Sequence, residues 1–119
     1  MIKFLSTLML GLVLLAACNQ KSANAEASFK VWGNCKMCKK TIEASLKDKA
    51  GIAEASWDVK SKQMKVSFDS TQIKLQDIQQ YIAAAGYDND GVRGNDQAYA
   101  GLHECCKYDR APLSATPMP

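Results

Sequence analysis

The chain has 119 residues, 47% hydrophobic and 23% charged, with 15 basic and 12 acidic side chains for a formal charge of +3. A charge this mild and this interspersed gives no electrostatic footprint for nucleic acid. Neither a Ser-His-Asp set nor a phosphate-binding glycine loop accompanies the single histidine, so no enzyme is expected, and the length allows one small domain.

Lys3 is followed by "FLSTLMLGLVLLAA", an apolar run of about 14 residues, where a spanning helix needs about 20. The run therefore reads as a secretory signal over residues 1–17. Its end, "LAAC" (Leu15 to Cys18), resembles the lipobox of bacterial lipoproteins. That resemblance implies lipidation of Cys18, attachment to the membrane through that lipid, and a place in the bacterial cell envelope facing the periplasm or exterior. An ordinary cut after Ala17 is the alternative. Asn19 stands where some bacteria use Asp to retain lipoproteins at the inner membrane, which tilts the expectation to the outer membrane. Removing residues 1–17 takes away Lys3 alone, so the count becomes 14 − 12 = +2 with the acylated amine uncharged. Export places the remaining thiols where disulfides can form. Cys35, Cys38, Cys105 and Cys106 allow three pairings, and spacing does not choose among them.

Residues 18–28 are small and polar without an apolar period, and are expected to form a flexible tether. "FKVWG" alternates Phe29 with Val31 and predicts a first strand ending at Gly33. From Cys38 the period becomes helical through Ile42 and Leu46, with Glu43 and Lys47 placed as a solvent-side i,i+4 pair and Gly51 just past the helix. "IAEASWDVKSKQMKVSF" predicts a hairpin: Ala53, Ala55 and Trp57 alternate on one arm, Met64, Val66 and Phe68 on the other. "DSTQ" offers N-cap residues for a second helix carrying Leu75, Ile78, Ile82 and Ala85, ended by Gly86. A weak fourth strand is expected at Gly91 to Arg93, then one or two helical turns in "DQAYAGL" and a frayed, proline-bearing end. The order predicts an α+β fold: a ferredoxin-like βαββαβ sandwich, four antiparallel strands with two helices on one face, and a cysteine-containing extension over residues 94–119.

Cys35 and Cys38 stand at the junction of the first strand and first helix. Unpaired first-turn amides favour thiolate over thiol there, and Lys36, Lys39 and Lys40 push the same way. Two thiolates on one tight loop suit a soft cation such as copper(I), mercury(II) or zinc, and not magnesium or calcium. With two sulfurs alone the low coordination number favours copper(I) or mercury(II) over zinc.

"GNCKMCKKTIEASL", within the element order of residues 29–93, is similar to the heavy-metal-associated domain family: copper chaperones, soluble domains of copper-transporting ATPases and periplasmic mercuric-ion binding proteins. The resemblance implies that Cys35 and Cys38 are metal ligands, and Gly86-Tyr87 matches a family feature that places Tyr87 beside the metal loop. The family's usual Met two residues before the first cysteine is replaced by Gly33, and the glycine often found before that Met by Trp32. Trp32 and Trp57 are expected chiefly as core or sheet-face aromatics. Met37 is a candidate thioether ligand and His103 a candidate imidazole ligand.

The family domain normally ends before "HECCKY". Three arrangements are open for Cys105 and Cys106: completing a thiolate site with Cys35 and Cys38, forming a disulfide that pins the tail, or making a separate soft-metal site with His103. Function is then expected to be a tethered soft-metal carrier, with copper(I) leading, mercury(II) and zinc as alternatives, and a metal-transport or efflux protein as recipient. Competing readings are a thiol-disulfide oxidoreductase, which needs the same low-pKa pair, and a disulfide-stapled lipoprotein that only contacts other proteins.

Overall fold

A computed structural model describes residues 23–111. The expected signal, Cys18, the start of the tether and the final residues 112–119 lie outside the described residues. Three strands form an antiparallel sheet in the order β1-β3-β2: β1 (Ala25–Lys30), β2 (Ile52–Trp57) and β3 (Gln63–Phe68). Helix α1 (Lys36–Ala44) follows β1, α2 (Leu75–Ala84) follows β3, and a short α3 (Asp96–Ala100) leads into a 3₁₀ turn at Glu104–Cys106.

Period-2 alternation builds the sheet. Phe29, Met64, Val66, Phe68 and Trp57 point to one face and are buried, while Glu26, Ser28, Glu54, Ser56, Lys65 and Ser67 line the open face. Against the apolar face lie Cys38 and Ile42 from α1, Leu46 from the turn after it, and Ile78 and Ile82 from α2, in one core. Register places both Phe29 and Trp57 opposite Met64, so the centre of the core is aromatic on both sides of one thioether. A register shift between Ile52 and Glu54 lets β2 bury Ile52 as well as Trp57. The hairpin turn is fixed by the Asp58 carboxylate, which accepts the amide hydrogens of Lys60 and Ser61 at 2.8 and 2.7 Å.

Several local expectations are corrected. The first strand begins at Ala25, inside the stretch read as tether, because Ala25 and Ala27 continue the inward alternation of Phe29 and pair with Phe68 and Val66. The fourth strand at Gly91 to Arg93 does not form. The chain meets β1's end earlier, where the Trp32 amide donates to the Asp88 carbonyl and the Asp90 amide to the Lys30 carbonyl, both near 3 Å. It then turns back at once through Gly91 (φ +88°), leaving only isolated bridges at Val31–Asn89 and Asn89–Val92. Glu43 does not pair with Lys47: its carboxylate takes the Lys39 ammonium at 2.6 Å and the Trp57 amide at 3.0 Å, tying α1 to the end of β2. "DSTQ" does not cap α2 either. Asp69 instead organises its own turn by accepting from Thr71, and the N-cap is Lys74, whose amide donates to Asp77. After α1 the chain passes through left-handed backbone at Asp48 before Gly51.

The segment after α2 is held down by polar and aromatic contacts. Asp88, 1% exposed, receives Arg110 Nη2 at 2.7 Å and Nε at 3.2 Å, and the amides of Gly94 and Ala111 at 2.8 and 3.0 Å. Tyr108 Oη donates to the Gly86 carbonyl at 2.6 Å and accepts from the Asp88 amide at 2.8 Å. Its ring stacks on Tyr87 with centroids 5.4 Å apart, and Tyr99 meets it edge-on at 5.1 Å.

Burial alone would raise the Asp88 carboxyl; the Arg110 guanidinium and the Gly94 and Ala111 amides outweigh it and hold the group below the usual carboxylate range. A depressed folded-state value means the contribution to stability is complete above the unfolded value of about 3.9. It is lost as pH falls through the lower folded value. In metal-free protein the Tyr99 and Tyr108 ring resonances are therefore expected to keep their folded dispersion at pH 5 and to lose it below about pH 4. An NMR pH titration checks this, and loss of dispersion already at pH 6 would contradict it.

Candidate metal centre

Cys35 occupies the N-cap of α1 in extended backbone, next to the unpaired first-turn amides, without a side-chain capping hydrogen bond. The Cys38 amide, the largest influence, lowers the Cys35 thiol from its ordinary value; a contact with the Cys38 side chain and the Met37 amide act in the same sense against partial burial. Cys38, one turn on, is fully buried, and its Sγ lies 3.0 Å from Asn34 Oδ1. The two sulfurs are 3.6 Å apart.

Beneath this loop the space is filled from β2. A Cβ at Gly33 would stand 2.8 Å from Trp57 Cη2 and 3.3 Å from Cys38 Cβ. Trp57 is fully buried, and its Nε1 donates to the carbonyls of Val31 and Lys62 at 3.0 and 3.1 Å. The indole thus supports the metal loop, and Gly33 is the residue that lets it in. Trp32, half-buried, instead lies under the Lys30 ammonium, 4.5 Å from the ring centroid.

The tail folds back over the loop. The 3₁₀ turn brings the sulfurs of Cys35, Cys105 and Cys106 within 4.8 Å of one another, and Cys38 joins through its contact with Cys35. Cys105 and Cys106 sulfurs are 3.9 Å apart, and the four thiols are free. Thiolates around one tetrahedral ion with bonds of about 2.3 Å stand about 3.8 Å from each other, which is near the spacing of the Cys35, Cys105 and Cys106 group, while the Cys38 sulfur touches that group through Cys35. Cys106 is buried at 1% exposure while Cys105 is exposed, giving the cluster a closed floor and an open rim. Burial, then the neighbouring sulfurs of Cys38, Cys105 and Cys35, push the Cys106 thiol up to about 12. An ion bound there must displace its proton.

The other candidates divide. Met37, 45% exposed, puts its Sδ 3.7 Å from Cys105 Sγ at the rim. Tyr87 is fully buried below the thiols, and its hydroxyl has no hydrogen-bond partner among the described residues. Burial and the neighbouring Cys38 and Cys106 raise its pKa, so it stays a neutral O–H suited to face thiolate. His103 is exposed and stands outside the sulfur group. Reading along the chain placed Trp57 in the core without its contact to the metal loop, and missed Asn34, Asp88, Tyr108 and Arg110. For the last two the only signal was "KYDR", an aromatic beside charges directly after the cysteine pair.

A small α+β sandwich that presents a thiol cluster on its first strand-to-helix loop is a soft-metal-binding domain. Residues 34–88 match the heavy-metal-associated domain, so the chain carries a domain of that family. It is 43% identical over 54 residues to a zinc-transporting ATPase of Synechocystis sp., a stretch that is 45% of this chain and 8% of the ATPase. This chain therefore corresponds to a small part of that relative. Among solved structures, the copper-binding domain of the P-type ATPase HMA7 is 29% identical with a TM-score of 0.52, over 54% of this chain and 88% of that one. The CopZ metallochaperone shares the fold at 24% identity, TM-score 0.53, covering 55% of this chain and 98% of the other.

Proposed function

We propose that the protein is a soft-metal carrier of the bacterial envelope, tethered to the membrane by lipid on Cys18 and carrying copper(I) on Cys35, Cys38, Cys105 and Cys106. The observation that supports it is the grouping of three free sulfurs, Cys35, Cys105 and Cys106, within 4.8 Å of one another, with the free Cys38 sulfur 3.6 Å from Cys35. Thiolates favour copper(I), and the open rim at Cys105 leaves room for an incoming donor. Transfer is ligand exchange: a partner's thiolate bonds the ion, one of this chain's sulfurs leaves and regains a proton, and no electron moves. The recipient is a metal-transport or efflux protein. Nothing in this exchange needs a catalytic acid or base, in keeping with the non-enzymatic character of the domain family.

Zinc is the second reading, because four convergent thiols can satisfy its preference for four ligands and because the relative in Synechocystis sp. is named for zinc. The test is an anaerobic titration of reduced residues 19–119 with copper(I), and separately zinc, each against a competing chelator while free thiols are counted. Tight 1:1 copper(I) uptake that protects all four thiols is the expected result. Tighter hold on zinc than on copper relative to the respective chelators would reassign the cargo. No uptake of either, with rapid reduction of insulin disulfides, would make the protein an oxidoreductase.

A further inference from the structure

The carrier reading needs Cys105 and Cys106 beside a loop about 70 residues earlier, and closing a segment of that length costs entropy. In this fold the cost is met by contacts that involve no sulfur. Tyr108, two residues after Cys106, is bonded to Gly86 and Asp88 and stacked on Tyr87; Arg110, two residues further, grips Asp88 with two nitrogens. Arg110 also donates to the Gly94 carbonyl at 2.7 Å and to Asp96 at 2.5 Å, and lies over the Tyr99 ring at 4.8 Å. The Tyr99 hydroxyl in turn donates to the Tyr108 carbonyl at 2.8 Å.

The side chains of Tyr87, Asp88, Asp96 and Tyr99 and the carbonyls of Gly86 and Gly94 thus clamp the stretch that begins two residues beyond the cysteine pair. We propose that Tyr108 and Arg110 are positioning residues that hold Cys105 and Cys106 over Cys35 and Cys38 before the ion arrives, so that the tail binds as a preformed half of the site. The inference rests on the four-thiol carrier reading. Its consequence is that the tail's two donors act on the ion without first being ordered, which is how preorganisation raises affinity. A partner that takes the ion must then displace a fixed segment, so the same clamp slows release.

Copper(I) affinity in the full chain, measured by chelator competition, separates the possibilities through a double-mutant cycle. Arg110→Gln is made in the native sequence and in Cys105→Ser/Cys106→Ser, and the urea midpoint of each variant is recorded. The expected result is a loss of about tenfold or more in the native sequence, the size of effect that removing a ligand's support produces. In the double-serine background the loss should vanish, while the fall in urea midpoint is similar in both. An equal loss of affinity in both backgrounds, or none in either, would overturn the proposal. If Arg110→Gln does not fold, Tyr108→Phe takes its place, since it keeps the ring and removes only the two hydroxyl bonds. The underlying reading fails separately: a native chain that binds no copper(I), or binds it no better than the double-serine chain, has no four-thiol site to position.

Discussion

Replacing Cys105 and Cys106 by serine together is expected to abolish stoichiometric zinc uptake and to weaken copper(I) binding by about 100-fold or more, at or beyond the upper end of losses seen when only a ligand's outer partner is removed. The two metals should respond differently for a coordination reason. Zinc held by Cys35 and Cys38 alone lacks half of its usual ligands, whereas copper(I) accepts two thiolates. The sulfur geometry sets the size of the effect. Cys106 is part of the closed floor, within 4.8 Å of the Cys35 sulfur, so its loss removes a donor that water replaces poorly. Competition titrations of the native and doubly substituted chains measure it, with Cys35→Ser/Cys38→Ser as the variant that should lose both metals. Unchanged affinity for both metals in the Cys105→Ser/Cys106→Ser chain would mean that the tail sulfurs take no part.

The second large effect concerns Trp57. Truncating this fully buried indole to alanine is expected to destabilise the fold by about 3–5 kcal/mol, the range for large aromatic side chains in cores. It also leaves the Val31 and Lys62 carbonyls without their shared donor. The reciprocal change, Gly33→Ala, inserts a methyl 2.8 Å from the ring and should cost about 1–3 kcal/mol by overpacking. Urea unfolding followed by circular dichroism checks both, because far-ultraviolet signal survives loss of the indole. A cost below about 1 kcal/mol for Trp57→Ala would show that the loop has another support. The indole reaches the space beside Gly33 from β2, under the loop that carries Cys35 and Cys38.

How much of this was legible along the chain follows from the range of each interaction. Alternation in 63–68 and the four-residue spacing of Cys38, Ile42 and Leu46 announced β3 and α1, because strand and helix periods are local properties of the backbone. Caps and pairings were less legible. Glu43 had a plausible partner at Lys47 in its own helix, but the β2 amide of Trp57 and the Lys39 ammonium lie closer in space. The expected fourth strand failed similarly: Asp88 and Asn89 are drawn into side-chain bonds with Arg110 and Gln79, and the chain turns at Gly91 before a ladder can extend.

By itself the sequence determined that one small α+β domain carries a Cys-x-x-Cys at a strand-to-helix junction, and that its chemistry suits a thiophilic cation. These rest on nearest neighbours and on periodicity. Only the tertiary structure decided that Cys105 and Cys106 stand against that pair, that Trp57 fills the space above which Gly33 passes, and that Asp88, Tyr108 and Arg110 bind the tail in place. The reason is physical: those contacts join residues about 20 to 70 positions apart, and such pairs meet only after burial of the common core has fixed where each loop emerges.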